Sequence, residues 1–403
     1  MPSINRRDFL KQFGVGAAAV GTSLAFPTLL AGCSPASTGG GSSTVPIKIG
    51  ALIDMSGPFS VYGTGMSNAI NLAAKEINDA GGIVGRPVEL LIEDAATDPK
   101  TSTEKATKFV QQTKVDLVIG IISSAVRDAV VPVICDRGNT LFIYPTLYEG
   151  GSCNPNLFSF GPTPPQQIEP YIPWLMTEKG NTFYCVGLDY VWPRTVVPIV
   201  RGLVEANGGQ VLGEEFVPIG STDLGAIVAK IKAANPKVVF SLASGPSLYA
   251  MARQMYDAGL MNTMTLATPF VDDSDTGGMP NEVAEGVLTS MTWYKSVDLP
   301  ENKEWLEKAA AMFGADPDLN EMGVTLRNGM FLYADAVKRA GSTEVEAVRT
   351  ALETARLDKS PQGPVSVENH HLVQNIYIGE IQSGRIEVIK TFEQLSPNQT
   401  CQN

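Results

Sequence analysis

Short apolar segments alternate along the chain with amphipathic segments of roughly ten to fifteen residues, and this alternation constrains the fold most strongly. Residues 48–55 and 88–95 are rich in β-branched and apolar residues, which predicts strands. Apolar side chains within 70–77 share one helix face, and Ser67 is the predicted cap of that helix. The same pattern predicts strands over 116–120, 140–145, 182–189, 210–216, 237–242, 263–268 and 287–294, with helices between them. Such alternation indicates βαβ units, so the sequence predicts an α/β fold with parallel sheets covered by helices on both faces.

The alternation pauses once, at residues 161–165 (Gly-Pro-Thr-Pro-Pro), a sequence typical of a rigid crossover. It then resumes, which predicts two doubly wound halves. After residue 294 the pattern predicts helices over 302–312, 322–340 and 343–354, then strands over 364–367, 373–381 and 385–391 with a turn at 383–384. Residues 396–403 are predicted to form a polar tail.

The first 33 residues have the features of a bacterial export signal. Arg6 and Arg7 precede a Gly- and Ala-rich apolar run over 13–30, which is too weak for a membrane span of about 20 strongly apolar residues. Residues 30–33 (Leu-Ala-Gly-Cys) resemble a lipobox. We therefore expect twin-arginine export, a lipidated Cys33, a flexible tether over 34–45, and a membrane-anchored protein in the periplasm or on the cell surface. A chance arginine pair and an unmodified Cys33 are the alternatives.

The charge balance argues against nucleic acid as a partner. The formal net charge is −12, and the signal contributes +2 (three basic residues and one acidic), which leaves −14 for the mature chain. No cluster of lysine and arginine interrupts this acidic balance.

Cysteine and histidine spacing predicts no metal site and no cofactor. Besides Cys33, the cysteines are Cys135, Cys153, Cys185 and Cys401, with no C-x-x-C spacing, so a zinc site is not expected. An exported protein can form a disulfide, but the spacing does not select a pair. His370 and His371 are adjacent, and neighbours in a strand point to opposite faces, which makes them a poor pair of metal ligands.

Polar and aromatic residues follow several predicted strands, at the edge where open α/β sheets bind ligands. Ser123 and Ser124 precede a helix, so they either face a ligand beside free amide donors or cap that helix. Other strand-end candidates are Asp54, Phe59, Tyr62, Tyr144, Thr146, Asp189, Tyr190, Trp192, Phe270 and Asp272. Tyr148 and Glu149 are expected to hold their loop, and residues 272–275 (Asp-Asp-Ser-Asp) are interpreted as a solvated turn.

Several motifs resemble the type I periplasmic binding proteins of ABC importers, over essentially all of residues 46–395. Residues 49–63 and 69–99 are similar to the first strand, ligand loop, first helix and second strand of the branched-chain amino-acid binding group. Four further motifs resemble the urea and short-chain amide branch: residues 144–150 (Tyr-Pro-Thr-Leu-Tyr-Glu-Gly), 161–170, 187–195, and 361–365 with 369–372.

The resemblance implies two Rossmann-like, doubly wound lobes joined by three crossovers, with the ligand in the cleft between them. One lobe would comprise residues 46–163 plus 291–360, and the other residues 164–290 plus 361–395. The implied function is a lipid-anchored binding protein that passes its ligand to ABC permease and ATPase subunits.

The same resemblance implies which residues contact the ligand. They are Ser124, Tyr144, Thr146, Tyr190 and Trp192, with Ser123, Asp189, Tyr62 and Phe270 as weaker candidates. Amide binders usually carry tyrosine at the positions of both Tyr190 and Trp192. Trp192 departs from that pattern, because an indole N–H donates a hydrogen bond but cannot accept one.

Two ligand classes are compatible with these residues. Urea and short amides are planar and neutral, and need acceptors for each buried N–H. A branched-chain or other small amino acid is a zwitterion and needs a carboxylate for its ammonium group, which Asp54, Asp189 or Asp272 could supply. We expect no enzymatic activity, since no G-x-S-x-G, H-E-x-x-H or Walker motif is present. The export signal argues against a cytosolic amide sensor of the same fold.

Overall fold

The computed structural model describes residues 45–399. The predicted export signal, the lipidation site Cys33, residues 34–44 of the tether and Cys401 lie outside the described residues. No helix in the described part of the chain is long and apolar enough to cross a bilayer.

The first half of the chain is a series of parallel strands with helices between them. Its strands are β1 (Ile47–Ile53), β2 (Val88–Asp94), β3 (Leu117–Gly120), β4 (Leu141–Tyr144) and β5 (Leu157–Ser159). Its helices are α1 (Gly63–Asp79), α2 (Pro99–Thr107) and α3 (Ser124–Val131), of which α2 and α3 continue as wider turns to Thr113 and Arg137. All residues of β3 and β4 are buried, as expected for a parallel sheet covered on both faces.

The second half repeats this order. Its helices are α4 (Pro164–Glu178), α5 (Val191–Ala206), α6 (Gly225–Ala234), α7 (Gly245–Asp257) and α8 (Asn281–Ala284). Its strands are β6 (Thr182–Leu188), β7 (Gln210–Val217), β8 (Val238–Leu242), β9 (Thr265–Thr268) and β10 (Leu288–Met291). The remaining elements are α9 (Pro300–Phe313), α10 (Glu321–Ala340), α11 (Val345–Leu352), β11 (Arg356–Leu357), β12 (Val365–Glu368), β13 (His371–Gln382) and β14 (Arg385–Leu395).

One long strand joins the two halves. The strand order is β2-β1-β3-β4-β5-β13-β10-β9-β8-β6-β7, with β11, β12 and β14 off this path. At its start β13 pairs in parallel with β5, through His371 and Ser159, and further along it pairs antiparallel with β10. We call β1–β5 with β11 and β12 the first strand group, and β6–β10 with β14 the second; β13 belongs to both.

The tail helices return to the first strand group. Helix α10 packs along α1, whose apolar face includes Met66, Ile70 and Ile77. The two helices approach closely at Gly323, where an added Cβ would lie 2.8 Å from the Ala69 Cβ. Glycine permits this contact because it has no side chain.

The α/β fold predicted from the sequence is confirmed, and most strands lie within two residues of their predicted bounds. The predicted cap at Ser67 is wrong, because α1 begins at Gly63 and Ser67 lies inside it. Strands β5 and β11 were not predicted. The lobe boundaries stay a prediction; the pairing places β11, β12 and the start of β13 with the first strand group.

The cysteines are now partly assigned. Cys135 and Cys185 carry free, buried thiols, whereas Cys153 is disulfide-bonded. Cys153 and Cys185 therefore do not pair with each other.

Candidate functional site

The carboxyl ends of β3 and β4 are joined by side-chain hydrogen bonds. The Tyr144 hydroxyl donates to the Ile122 carbonyl at 2.6 Å, and the Thr146 Oγ1 donates to the Ile121 carbonyl at 3.0 Å. Ile121 has a φ of +73°, a left-handed conformation that is strained for a β-branched residue. This strained turn directs two successive carbonyls toward the predicted ligand residues, and such strain is commonly found at functional sites.

A buried arginine, which the sequence did not single out, organises the same edge. Arg127 is 3% exposed, and its Nη2 lies 2.5 Å from Glu149 Oε1. Ser124 Oγ donates to the other oxygen of Glu149 at 2.8 Å. The guanidinium group lies over the rings of Tyr148 and Tyr144, at 4.9 and 5.3 Å from their centroids. Arg127 lies three residues after Ser124 on α3, and residues at this spacing share one helix face. This spacing was the sequence signal that could have placed Arg127 beside the predicted serine.

The expectation that Tyr148 and Glu149 hold their loop is confirmed. Glu149 bonds to Ser124 and Arg127, and the Tyr148 hydroxyl bonds to His371 Nε2 on the shared strand β13. Burial lowers the pKa of His371 to about 4, so its ring is neutral at physiological pH.

Three predicted ligand hydroxyls already donate their protons within the protein. Ser124 donates to Glu149, Tyr144 to Ile122 and Thr146 to Ile121. A hydroxyl has one donor and two acceptor positions, so each oxygen keeps capacity only as an acceptor. This edge is therefore suited to a ligand that presents N–H donors.

Aromatic side chains form a row from the segment before α1 to the start of α5. The Tyr62 and Phe270 rings are 5.5 Å apart, Phe270 and Trp192 are 5.8 Å apart, and Trp192 and Tyr190 are 6.5 Å apart. Burial, with Tyr144 and Glu149 nearby, raises the pKa of Tyr190. The row thus brings predicted residues of the second strand group toward Tyr144 of the first.

The interpretation of residues 272–275 as a solvated turn is wrong, because Asp272 and Asp275 are fully buried. Asp275 Oδ1 accepts hydrogen bonds from Tyr62 at 3.0 Å and from Tyr249 at 2.6 Å. Asp272 Oδ2 accepts from the Glu321 backbone N–H at 3.2 Å. Burial raises the pKa of Asp275 to about 6. The loop therefore links the second strand group to α10 and to the segment before α1.

Two further carboxylates are buried without full pairing. Asp54, after β1, is 1% exposed, and neither of its oxygens has a hydrogen-bond partner among the described residues. Glu321, at the start of α10, is also buried; its Oε1 accepts from Thr292 and Thr325, and its Oε2 has no partner there. Burial raises the pKa of Asp54 to about 6 and that of Glu321 to about 7.

Other sequence candidates have different surroundings. Asp189 is exposed and forms an ion pair with Arg194 at 2.7 Å. Ser123 occupies the N-cap position of α3, but its side chain makes no capping hydrogen bond. Phe59 is buried in the hydrophobic core.

Comparison with known proteins identifies a family model for periplasmic binding proteins that matches residues 46–385. The "Leu/Ile/Val-binding protein homolog 6" of Brucella abortus (strain 2308) is 25% identical over 344 residues, which cover 83% of this chain and 87% of that protein.

Solved structures share the fold. A solute-binding protein of an ABC transporter from Rhodopseudomonas palustris BisB5, in complex with 3,4-dihydroxybenzoic acid, superposes with a TM-score of 0.79 at 21% identity, covering 88% of this chain and 99% of that one. A leucine-binding protein from Thermotoga maritima gives a TM-score of 0.75 at 19% identity, covering 86% and 99%.

Proposed function

Because this chain belongs to the periplasmic binding protein family, we propose that it is a substrate-binding protein that captures urea or a short-chain amide between its two strand groups. The ligand contacts in this proposal are Ser124, Tyr144 and Thr146 on one side and Tyr190 and Trp192 on the other. Ser123, Tyr62 and Phe270 would border them.

The observation that carries the proposal is the direction of three hydrogen bonds. Ser124, Tyr144 and Thr146 each donate to a protein acceptor, which leaves three oxygens able to accept from a ligand. Urea and primary amides present several N–H donors on a small planar frame. Each donor left unpaired in a closed site would cost about 1–3 kcal/mol, so acceptors placed in this way favour such ligands.

A small amino acid is the second candidate, and two buried groups favour it. Arg127 Nη1 has no hydrogen-bond partner among the described residues and would suit a carboxylate. Asp54 would suit an ammonium group. The names of the Brucella relatives, given as Leu/Ile/Val-binding protein homologs, agree with this candidate.

The proposal includes the cellular setting expected from the sequence. The protein would be exported by the twin-arginine route, anchored through a lipid on Cys33 and tethered over residues 34–45 outside the cytoplasm. It would close on its ligand by hinge motion and deliver it to the permease and ATPase subunits of an ABC importer.

A thermal-shift screen of the purified protein tests the ligand class. A ligand at 100 times its dissociation constant stabilises the folded state by about 2.7 kcal/mol, which is visible in a melting curve. We expect urea, formamide or acetamide to raise the melting temperature and leucine to leave it unchanged. A response to leucine alone would select the second candidate, and no response to any of them would contradict both.

A further inference from the structure

Asp54 is a buried carboxylate without a well-formed hydrogen bond among the described residues. It is 1% exposed, and both of its oxygens lack a hydrogen-bond partner among residues 45–399. Burying an ionised carboxylate is costly unless it is paired and hydrogen-bonded. The position is fixed by the start of α1, because an added Cβ at Gly63 would lie only 2.4 Å from the Asp54 carbonyl oxygen. The structure thus holds two adjacent acceptors in place. The Thr97 side chain and N–H and the Ile122 N–H lie near enough to offset part of the burial cost, but neither oxygen has a well-formed hydrogen bond.

The topology places Asp54 beside the predicted ligand hydroxyls. Strands β1 and β3 are parallel neighbours, with Leu52 paired to Gly120. Asp54 and Ile122 each lie two residues after this pair, so they leave the sheet at the same edge. The Ile122 backbone N–H is one of the groups that offset part of the free-energy cost of burying the Asp54 carboxylate. The Ile122 carbonyl accepts a hydrogen bond from the Tyr144 hydroxyl. Asp54 therefore belongs to the same sheet edge as Tyr144.

The charges around this edge are predominantly negative. Arg127 is already paired with Glu149 and Asp128, so its charge is compensated, whereas Asp54 has no cationic partner in the described residues. No group of three His, Cys, Asp or Glu side chains in the described chain is arranged to hold a metal ion. The charge that complements Asp54 is thus best supplied by an organic ligand.

We propose that the site prefers planar cations of the amidinium or guanidinium type over neutral amides and urea, and that Asp54 is the residue that selects them. This inference rests on the proposed function for the location of the site, and it shifts the preferred ligand from neutral amides to their cationic counterparts. Two parallel N–H donors of an amidinium match the two oxygens of one carboxylate, and such paired, charge-assisted bonds are stronger than neutral ones. The aromatic row ending at Tyr190 and Trp192 offers faces that attract a cation.

Calorimetric titration with matched pairs tests the proposal: acetamidinium against acetamide, and guanidinium against urea, each at millimolar concentration and neutral pH, with leucine as a zwitterion. We expect each cation to bind at least about tenfold more tightly than its neutral counterpart, which corresponds to about 1.4 kcal/mol. Equal or tighter binding of the neutral members would overturn the proposal.

Two variants assign the preference to Asp54. In Asp54→Asn we expect cation affinity to fall at least tenfold while neutral ligands change less than about threefold. The matched control is Asp116→Asn, because Asp116 is a half-buried aspartate that accepts from Lys48 N–H at the other end of the same strands. An unchanged cation preference in Asp54→Asn would remove Asp54 from the proposal.

The outcomes separate this inference from the proposed function. Binding of urea or acetamide without a cation preference supports the proposed function and overturns the inference. Binding of leucine alone overturns both the amide assignment and the inference but retains an amino-acid receptor. If Asp54→Asn fails to fold, the comparison of matched ligands on the native protein still decides the preference.

Discussion

Tyr62 donates a hydrogen bond of 3.0 Å to Asp275, a residue 213 positions later in the chain. This bond joins the segment before α1, in the first strand group, to the loop after β9, in the second. Tyr249, on α7, donates to the same oxygen at 2.6 Å from within the second group. Asp275 thus accepts hydrogen bonds from two tyrosines. The bond from Tyr62 crosses between the strand groups, whereas the bond from Tyr249 stays within the second group.

That difference allows a matched test of cleft closure. Tyr62→Phe removes the crossing bond, worth about 1.5–3 kcal/mol with a charged acceptor, so we expect ligand affinity to fall about tenfold or more. Tyr249→Phe removes a bond to the same oxygen that does not cross between the strand groups, so the ligand affinity of this variant should change less than about threefold. Calorimetry measures both, and equal losses in the two variants would contradict a closing role for Tyr62.

Removing two of the oriented hydroxyls tests the site itself. The double variant Ser124→Ala with Thr146→Ala deletes two acceptors, so ligand affinity should fall by about tenfold or more in calorimetry. Ser102→Ala is the control, because Ser102, in α2, is also buried but donates to the carbonyl of Ala95, directly after β2. Unchanged affinity in the double variant would place the ligand elsewhere.

Glu321 makes stability depend on pH in a defined direction. Burial raises its pKa from the ordinary 4.5 to about 7, so the folded protein holds a proton that the unfolded chain releases between these values. Stability therefore falls as pH rises through this window. Glu321→Gln keeps the neutral form, and we expect its stability relative to the native protein to be about 3 kcal/mol more favourable at pH 8 than at pH 4.5.

Urea denaturation at the two pH values measures this difference, provided that any urea binding is included in the analysis. Glu89→Gln, at an exposed position of β2, is the control and should show no such change. A pH-independent effect of Glu321→Gln would show that Glu321 does not titrate in this window.

Lipidation is tested directly on the expected anchor. Metabolic labelling with a fatty-acid analogue should label the native protein and disappear in Cys33→Ser. Cys135→Ser is a suitable control, because the Cys135 thiol is buried in the folded protein. Labelling that persists without Cys33 would contradict the lipoprotein assignment.

The fold was largely predictable because its signals are local. Apolar β-branched runs marked nearly all the strands, and helical periodicity marked the helices between them. Strand β5 was missed because three residues, Leu157–Ser159, are too few to show a period. The early start of α1 was missed because its first turn contains Gly63 and Gly65, which weaken a helical signal.

The candidate site was predictable only in part, because burial depends on distant residues. The sequence placed Ser124, Tyr144, Thr146, Tyr190 and Trp192 at strand ends. In the structure α3, which begins at Ser124, contacts α5, which begins directly after Tyr190. The aspartates of residues 272–275 predicted an exposed loop. Asp272 and Asp275 are buried instead, because Tyr62 and Glu321, which are remote in sequence, contact them. Arg127 was missed because a single charged residue on a helix normally faces water.

The position of β13 along the chain has a consequence for synthesis. Every strand except β14 precedes β13 in the chain, so neither group has its full set of strands until residues 371–382 have left the ribosome. Completion of either group must then follow synthesis of β13, inside the cytoplasm if export uses the twin-arginine route. For such a protein, a C-terminal truncation that removes β13 should block translocation as well as folding.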